Sequence, residues 1–172
     1  FADIMIGNNS ASVVSDAYIK GLRGYDIEKL YEALQNGANN EGPMTAVGRK
    51  GVQYYNELGY VPYDVKINEN AARTLEYAYD DWCIAQVAKK LGKTADYNLF
   101  TQRAAGYRKL FDTGSGFFRA KNSDGKWVEP FDPYFSEHGA EGMYIEGTAW
   151  QHTFFVPHAV QEYAQLLGGK SK

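Results

Sequence analysis

The chain has 172 residues, 44% of them hydrophobic, which is enough to bury the core of one domain. Its formal charge of −3 comes from 18 basic and 21 acidic residues spread along the sequence, so no basic stripe is offered to a nucleic-acid backbone. No run approaches the roughly 20 apolar residues of a membrane helix, and a single cysteine, Cys83, excludes an internal disulfide. We therefore predict neither nucleic-acid binding nor a membrane span.

The first part of the sequence predicts helices joined by glycine-containing turns. Apolar residues at 3.6-residue spacing predict one helix that is capped by Ser10 or Ser12 and ended by Gly21 and Gly24. A second helix is predicted from an N-cap at Asp26 to Gly37. A shorter helix is predicted between Val47 and Leu58. Two helices joined by a short turn form an antiparallel hairpin, so helical hairpins are the expected unit of the fold.

A longer helix is predicted from Asn70, as its N-cap, to Gly92, and it contains three acidic residues. Glu76 and Asp80 are four residues apart, so they share a face and repel each other, whereas Asp81 points about 100° away from Asp80. Repulsion of this kind is typical of a functional site. The alternative, which we favour, is that one aspartate accepts hydrogen bonds from backbone or from an arginine.

The remaining elements are one more helix, a small hairpin and a final helix. Thr94 is predicted to cap a helix, and aromatic runs on either side of the Asn122–Gly125 turn predict a β-hairpin over residues 117–128. The last helix is predicted to begin near Pro157. The class is therefore all-α with one small β-hairpin, and the pattern alone fits a bundle, a helical repeat array or part of an (α/α) toroid.

Residues 144–158 concentrate the groups that could carry chemistry. Glu146 is the only carboxylate in this apolar, aromatic run, and burial of that kind raises the pKa of a carboxyl group until it can donate a proton near pH 7. Trp150 offers a ring to the C–H face of a sugar, and Gln151 offers an amide to its hydroxyl groups. The residues alone leave open a structural reading, with Glu146 solvated at a helix N-terminus and Trp150 in the core.

No metal ligands are predicted within the chain. The three histidines, His138, His152 and His158, are separated by 14 and 6 residues, which does not match a zinc-binding helix. No stretch has the spacing of oxygen ligands found in an EF-hand calcium loop.

The segments 146–151 and 155–158 read E-G-T-A-W-Q and F-V-P-H. They resemble the E-G-N-x-W-Q…F-V-P-H run of the α-mannosidases of glycoside hydrolase family 92. Further segments match in the order of that family, namely 7–10, 16–21, 59–62, 74–86, 130–133 and 167–169. The sequence departs from the family at Thr148, His152 and Asn9, where Asn, an aromatic residue and His are usual.

The resemblance implies that residues 1–172 are part of an (α/α)6-barrel catalytic domain, excised from a longer protein that is secreted or periplasmic. It implies an exo-acting, inverting α-mannosidase that removes α-1,2-linked mannose from glycans, with Glu146 as general acid and Trp150 and Gln151 as substrate-binding residues. Calcium is implied in the full-length enzyme, with its ligands and the general base downstream of this chain. The chain alone is therefore expected to be inactive.

Two alternatives belong to different functional classes. In the first, the chain is a non-catalytic carbohydrate-binding or structural helical module, since one carboxyl group without a partner has little hydrolytic power. In the second, it is an all-α interaction domain with no sugar site. The sequences that flank the chain in its gene would discriminate among the three.

Overall fold

The computed structural model describes residues 6–41, 48–136 and 142–169. Its α-helices are α1 (Ser10–Ile19), α2 (Ile27–Asn39), α3 (Val52–Leu58), α4 (Asn70–Lys90), α5 (Thr94–Ala104), α6 (Ala149–His152) and α7 (Val160–Leu166). Two 3-10 helices cover Tyr63–Val65 and Ala105–Leu110, and two short strands are β1 (Phe111–Asp112) and β2 (Phe117–Phe118). None of the helices in these three ranges is long and apolar enough to cross a membrane.

The long helix α4 is the centre of the fold. It packs against α1, α2 and α5, and 15 of its 21 residues are buried. Small side chains such as Ala78, Ala85 and Ala88 allow the neighbouring helices to approach from several sides. Lys89 and Lys90 lie in its last turn, where positive charge complements the helix dipole.

The predicted helix caps differ in outcome. Asp26 caps α2 as predicted, because its side chain accepts a hydrogen bond from the Lys29 backbone N–H at 3.1 Å. The predicted cap at Asn70 is wrong: Asn70 is the first residue of α4, and its side chain donates to the Ile67 carbonyl. Thr94 is likewise inside α5 rather than its cap. Neither helix begins with a side-chain cap.

The β-structure is partly displaced from the predicted hairpin. The regular strands pair Phe111 with Phe118, upstream of the expected position. The predicted hairpin forms as well, without regular strands: Lys121 and Trp127 form a bridge, and the Val128 N–H donates to the Ala120 carbonyl at 3.1 Å. The two phenylalanine rings meet edge to face at 5.4 Å in the core. Burial of both rings therefore stabilises this additional, upstream pairing.

The C-terminal part of the chain contains two short helices instead of one. Pro157 lies in the turn between α6 and α7, so the predicted start of the last helix is wrong by three residues. Val47, the predicted start of the third helix, lies outside the described residues, and α3 begins at Val52. The all-α class with one small β-hairpin is nevertheless confirmed.

An aromatic core lies beneath the C-terminal segment. The Phe118 ring stacks on Tyr163 at 5.4 Å and meets Tyr107 edge to face at 6.2 Å. Tyr144, which lies two residues before Glu146, belongs to the same buried cluster. The loop with Glu146 is thus built directly on this group of packed rings.

Candidate active site

Glu146 lies on a loop between the aromatic core and α6. Its backbone has a φ angle of 49°, in the left-handed region that residues with a Cβ rarely occupy. Its side chain is exposed, so the burial expected from the apolar sequence around it is wrong for this chain. A strained backbone of this kind costs on the order of 1–3 kcal/mol and persists only where the surrounding structure holds it.

The N-terminal anchor of this loop is Tyr144. Its ring is buried, and its hydroxyl group donates a hydrogen bond to the Phe118 carbonyl in strand β2. Burial raises the pKa of the Tyr144 phenol above its ordinary value, so the group stays neutral and remains a donor. The residue two positions before Glu146 is therefore fixed to the core.

The C-terminal anchor is a capping box at the start of α6. The Thr148 hydroxyl accepts from the Trp150 backbone N–H at 3.3 Å, and the Gln151 side-chain oxygen accepts from the Thr148 N–H at 2.8 Å. The Gln151 carbonyl oxygen is thus engaged with the protein, and its predicted role in binding a sugar stays a prediction. The box fixes the residue two positions after Glu146.

Trp150 is not a core residue in the described chain. Its ring is 44% exposed and meets Phe117 edge to face at 4.8 Å, with Tyr134 at 6.1 Å. These contacts hold the ring in place while a large part of it faces solvent. An exposed, supported aromatic ring is suitable for stacking on a sugar, and Trp150 lies on the helix that follows the Glu146 loop.

His158 has a different environment from the Glu146 loop. Its Nε2 bonds to the Ala104 carbonyl at 3.0 Å, and its ring lies among those of Tyr79, Trp82 and Tyr107. Burial lowers the pKa of His158, which favours the neutral imidazole. These contacts indicate that it joins the segment after α6 to the helical core.

Asp81 has the structural role that the sequence analysis favours for an aspartate of α4, because it binds arginine side chains. It is fully buried and pairs with Arg49 at 2.7 Å and with Arg103 at 2.9 Å, and it also accepts from the Tyr55 hydroxyl. No sequence signal pointed to Arg49, since a lone arginine beside Gly48 and Lys50 is typical of an exposed loop. The cluster joins α4 to α5 and to the segment before α3.

Glu76 and Asp80 form a second acidic pair, one turn apart on α4. The Asn8 backbone N–H donates to Asp80 Oδ2 at 2.7 Å, whereas the other oxygen of this buried carboxylate has no hydrogen-bond partner among the described residues. Burial raises the pKa of Asp80 to about 6. Burial and the nearby Asp80 raise the pKa of Glu76 to about 7. The predicted repulsion is therefore accompanied by desolvation of both carboxyl groups.

The described ranges contain no group of three or more His, Cys, Asp or Glu side chains placed to hold a metal ion. His138, one of the three histidines, lies outside them. The calcium ion implied by the family resemblance therefore stays a prediction.

Comparison with known protein families assigns the chain. The model of the glycosyl hydrolase family 92 catalytic domain matches residues 1–172. The chain belongs to this family. Family 92 membership accounts for the order in which the matching motifs follow one another along the sequence.

Solved family 92 enzymes share the fold. A family 92 inverting mannosidase from Bacteroides thetaiotaomicron VPI-5482 is 41% identical, with a TM-score of 0.89 over 97% of this chain and 22% of its own. A family 92 α-mannosidase from Bacteroides thetaiotaomicron is 42% identical, with a TM-score of 0.85 over 96% of this chain and 21% of its own. These matches confirm the predicted fold class, helical hairpins forming part of an (α/α)6 toroid.

A third relative is a protein of Arthroderma benhamiae described as an uncharacterized secreted glycosidase. It is 32% identical over 96% of this chain and 25% of its own length. The chain thus spans between a fifth and a quarter of the length of the relatives that it matches.

Proposed function

We propose that the chain is part of the catalytic domain of a longer, exo-acting α-mannosidase, with Glu146 as its general acid. Membership in family 92 over the whole chain carries the proposal. It is supported by the solved relatives, which are mannosidases, and by the anchored loop that presents the Glu146 carboxyl group to solvent.

The proposed reaction is hydrolysis of a glycosidic bond with inversion. One carboxyl group protonates the leaving oxygen while a second activates water on the opposite face of the sugar, about 6.5–9.5 Å away. Glu146 would be the first of these groups. We propose that the second comes from another part of the full-length protein, as do the ligands of the expected calcium ion. No step assigned to Glu146 depends on that ion.

The proposed substrate is a terminal mannose of a glycan, in α-1,2 linkage, and the proposed location is secreted or periplasmic, as the name of the Arthroderma relative supports. Trp150 would stack on the C–H face of a sugar, and its exposure is consistent with that role. Gln151 would contribute its amide N–H groups, because its carbonyl oxygen already closes the capping box.

The test is Glu146→Gln in the full-length enzyme. Glutamine keeps the shape of the side chain but has no transferable proton, so we expect kcat on an α-1,2-mannobiose to fall by about 10²- to 10⁴-fold. An aryl mannoside with a good leaving group needs less protonation and should lose less. Glu57→Gln, at an exposed position on α3, is the matched control and should leave turnover unchanged.

Three outcomes separate the proposal from its alternatives. Equal losses on both substrates would mean that Glu146 orients the sugar or supports the fold rather than donating a proton. Near-normal turnover on the mannobiose would place the acid elsewhere. Glycan binding without any hydrolysis by the wild-type full-length protein would favour the non-catalytic carbohydrate-binding module.

A further inference from the structure

His152 contacts the loop that carries Glu146 on both sides of that residue. Its ring lies 5.1 Å, centroid to centroid, from the ring of Tyr144, two positions before Glu146. Its Nδ1 lies 3.1 Å from the carbonyl oxygen of Thr148, two positions after Glu146. The imidazole therefore spans the ends of the left-handed turn at Glu146.

The ring also covers the residue next to Glu146. A Cβ atom placed on Gly147 would lie 3.3 Å from Cε1 of His152, closer than an ordinary van der Waals contact. The imidazole thus packs on the Gly147 backbone and leaves little space for a side chain there. Two residues flank Glu146 on each side, and three of these four contact the His152 ring or are hydrogen-bonded to it, namely Tyr144, Gly147 and Thr148.

The hydrogen bond determines which ring nitrogen carries the proton. A carbonyl oxygen can only accept, so Nδ1 must donate to Thr148, and Nε2 carries the lone pair of the neutral ring. Burial lowers the pKa of His152, which favours that neutral form. The contact to Thr148 therefore does not depend on a charge.

We propose that His152 is a positioning residue for the reaction, which holds the Glu146 turn in its left-handed conformation and so aims the carboxyl group. This inference rests on the proposed role of Glu146 as general acid. The physical reason is that the strained φ angle has to be held from outside the turn, and His152 joins the two anchored ends, Tyr144 and Thr148, to each other. A loosened turn would misplace the acid relative to the glycosidic oxygen.

Two substitutions at His152 in the full-length enzyme separate its contacts. His152→Phe keeps a ring against Tyr144 and Gly147 but removes the donor to Thr148. His152→Asn puts an amide N–H near the position of Nδ1 but removes most of the ring. We expect His152→Phe to lower kcat on the α-1,2-mannobiose by about 5- to 10-fold, as the loss of one hydrogen bond would, with KM little changed.

The readout that distinguishes positioning from folding is the dependence on the leaving group. If His152 acts through the acid, the loss in His152→Phe should be smaller on the activated aryl mannoside, and His152→Asn should recover part of the activity. In the Glu146→Gln background, His152→Phe should cost little more, because the group that it positions has already been removed.

Equal losses of kcat on both substrates, or losses that multiply in the double variant, would overturn the role of His152. This result is distinguishable from failure of the proposed function, which Glu146→Gln alone reports. If His152→Phe does not fold, His152→Asn is compared with the wild type on both substrates and in the Glu146→Gln background instead. A loss of kcat that is larger on the mannobiose than on the aryl mannoside would then support the proposal.

Discussion

Glu76 gives a prediction about how stability depends on pH. The carboxyl group lies one turn before Asp80 on α4, under the backbone of Gly7, where an added Cβ would lie 3.0 Å from Glu76 Oε2. Burial and Asp80 together raise the pKa of Glu76 from 4.5 to about 7. The folded chain therefore keeps a proton at pH values where the unfolded chain has already lost it.

The sign follows from proton binding. Between pH 4.5 and about 7 the folded state binds more protons than the unfolded state, so stability falls as the pH rises through this window. At about 1.36 kcal/mol per pH unit, the rise in the pKa of Glu76 corresponds to at most about 3.4 kcal/mol. Below pH 4.5 the contribution of Glu76 to stability is fully present, and above pH 7 it is lost.

Glu76→Gln should remove this dependence, because glutamine stays neutral at every pH. We expect the variant to match the wild type near pH 4.5 and to melt at a higher temperature at pH 8, because the wild type has by then lost the contribution of the Glu76 proton to stability. The measurement is the melting temperature of the full-length protein from about pH 4.5 to 8. Glu57→Gln, at an exposed position on α3, is the control and should follow the wild type.

Asp80 provides an internal reference for the same experiment. Its pKa is raised to about 6, so its own contribution also falls as the pH rises, between about pH 4 and 6, in both proteins. The difference in melting temperature between Glu76→Gln and the wild type should therefore continue to grow between about pH 6 and 7. Parallel curves for wild type and Glu76→Gln over the whole range would show that Glu76 is ionised in the folded protein and would refute the reasoning.

The other predictions concern the buried ion cluster and the exposed ring. Asp81→Asn should destabilise the protein by about 3–5 kcal/mol, because it leaves the guanidinium groups of Arg49 and Arg103 buried without their carboxylate; an unchanged melting temperature would contradict this. Trp150→Ala should keep the fold but weaken mannoside binding by about 2- to 10-fold, measured by calorimetry in the inactive Glu146→Gln background; unchanged affinity would remove Trp150 from the sugar site.

Local signals predicted the helices well. The periodic apolar residues of α2 and its cap at Asp26 act within a few residues, so the sequence alone contains the information that forms this helix. The motif around Glu146 indicates the family for the same reason, because its six residues are contiguous in the chain. The prediction of a cap at Asn70 is wrong because the chain enters α4 from a left-handed turn at Glu69. No sequence pattern indicates that turn.

Long-range contacts could not be predicted in the same way. Arg49 and Asp81 are 32 residues apart, and only the packing of the segment before α3 against α4 brings them together. The upstream β-pairing has the same origin, because it depends on the contact between the Phe111 and Phe118 rings in the core. In both cases the contact depends on tertiary packing, which the local sequence does not contain.

The exposure of the Glu146 side chain bears on its proposed role as general acid. The described residues hold the Glu146 backbone firmly, through Tyr144, Thr148 and His152, but they leave its side chain open to solvent. In the proposed enzyme this chain would therefore fix the position of the Glu146 carboxyl group, and the other groups that surround it would come from the rest of the protein or from the bound glycan.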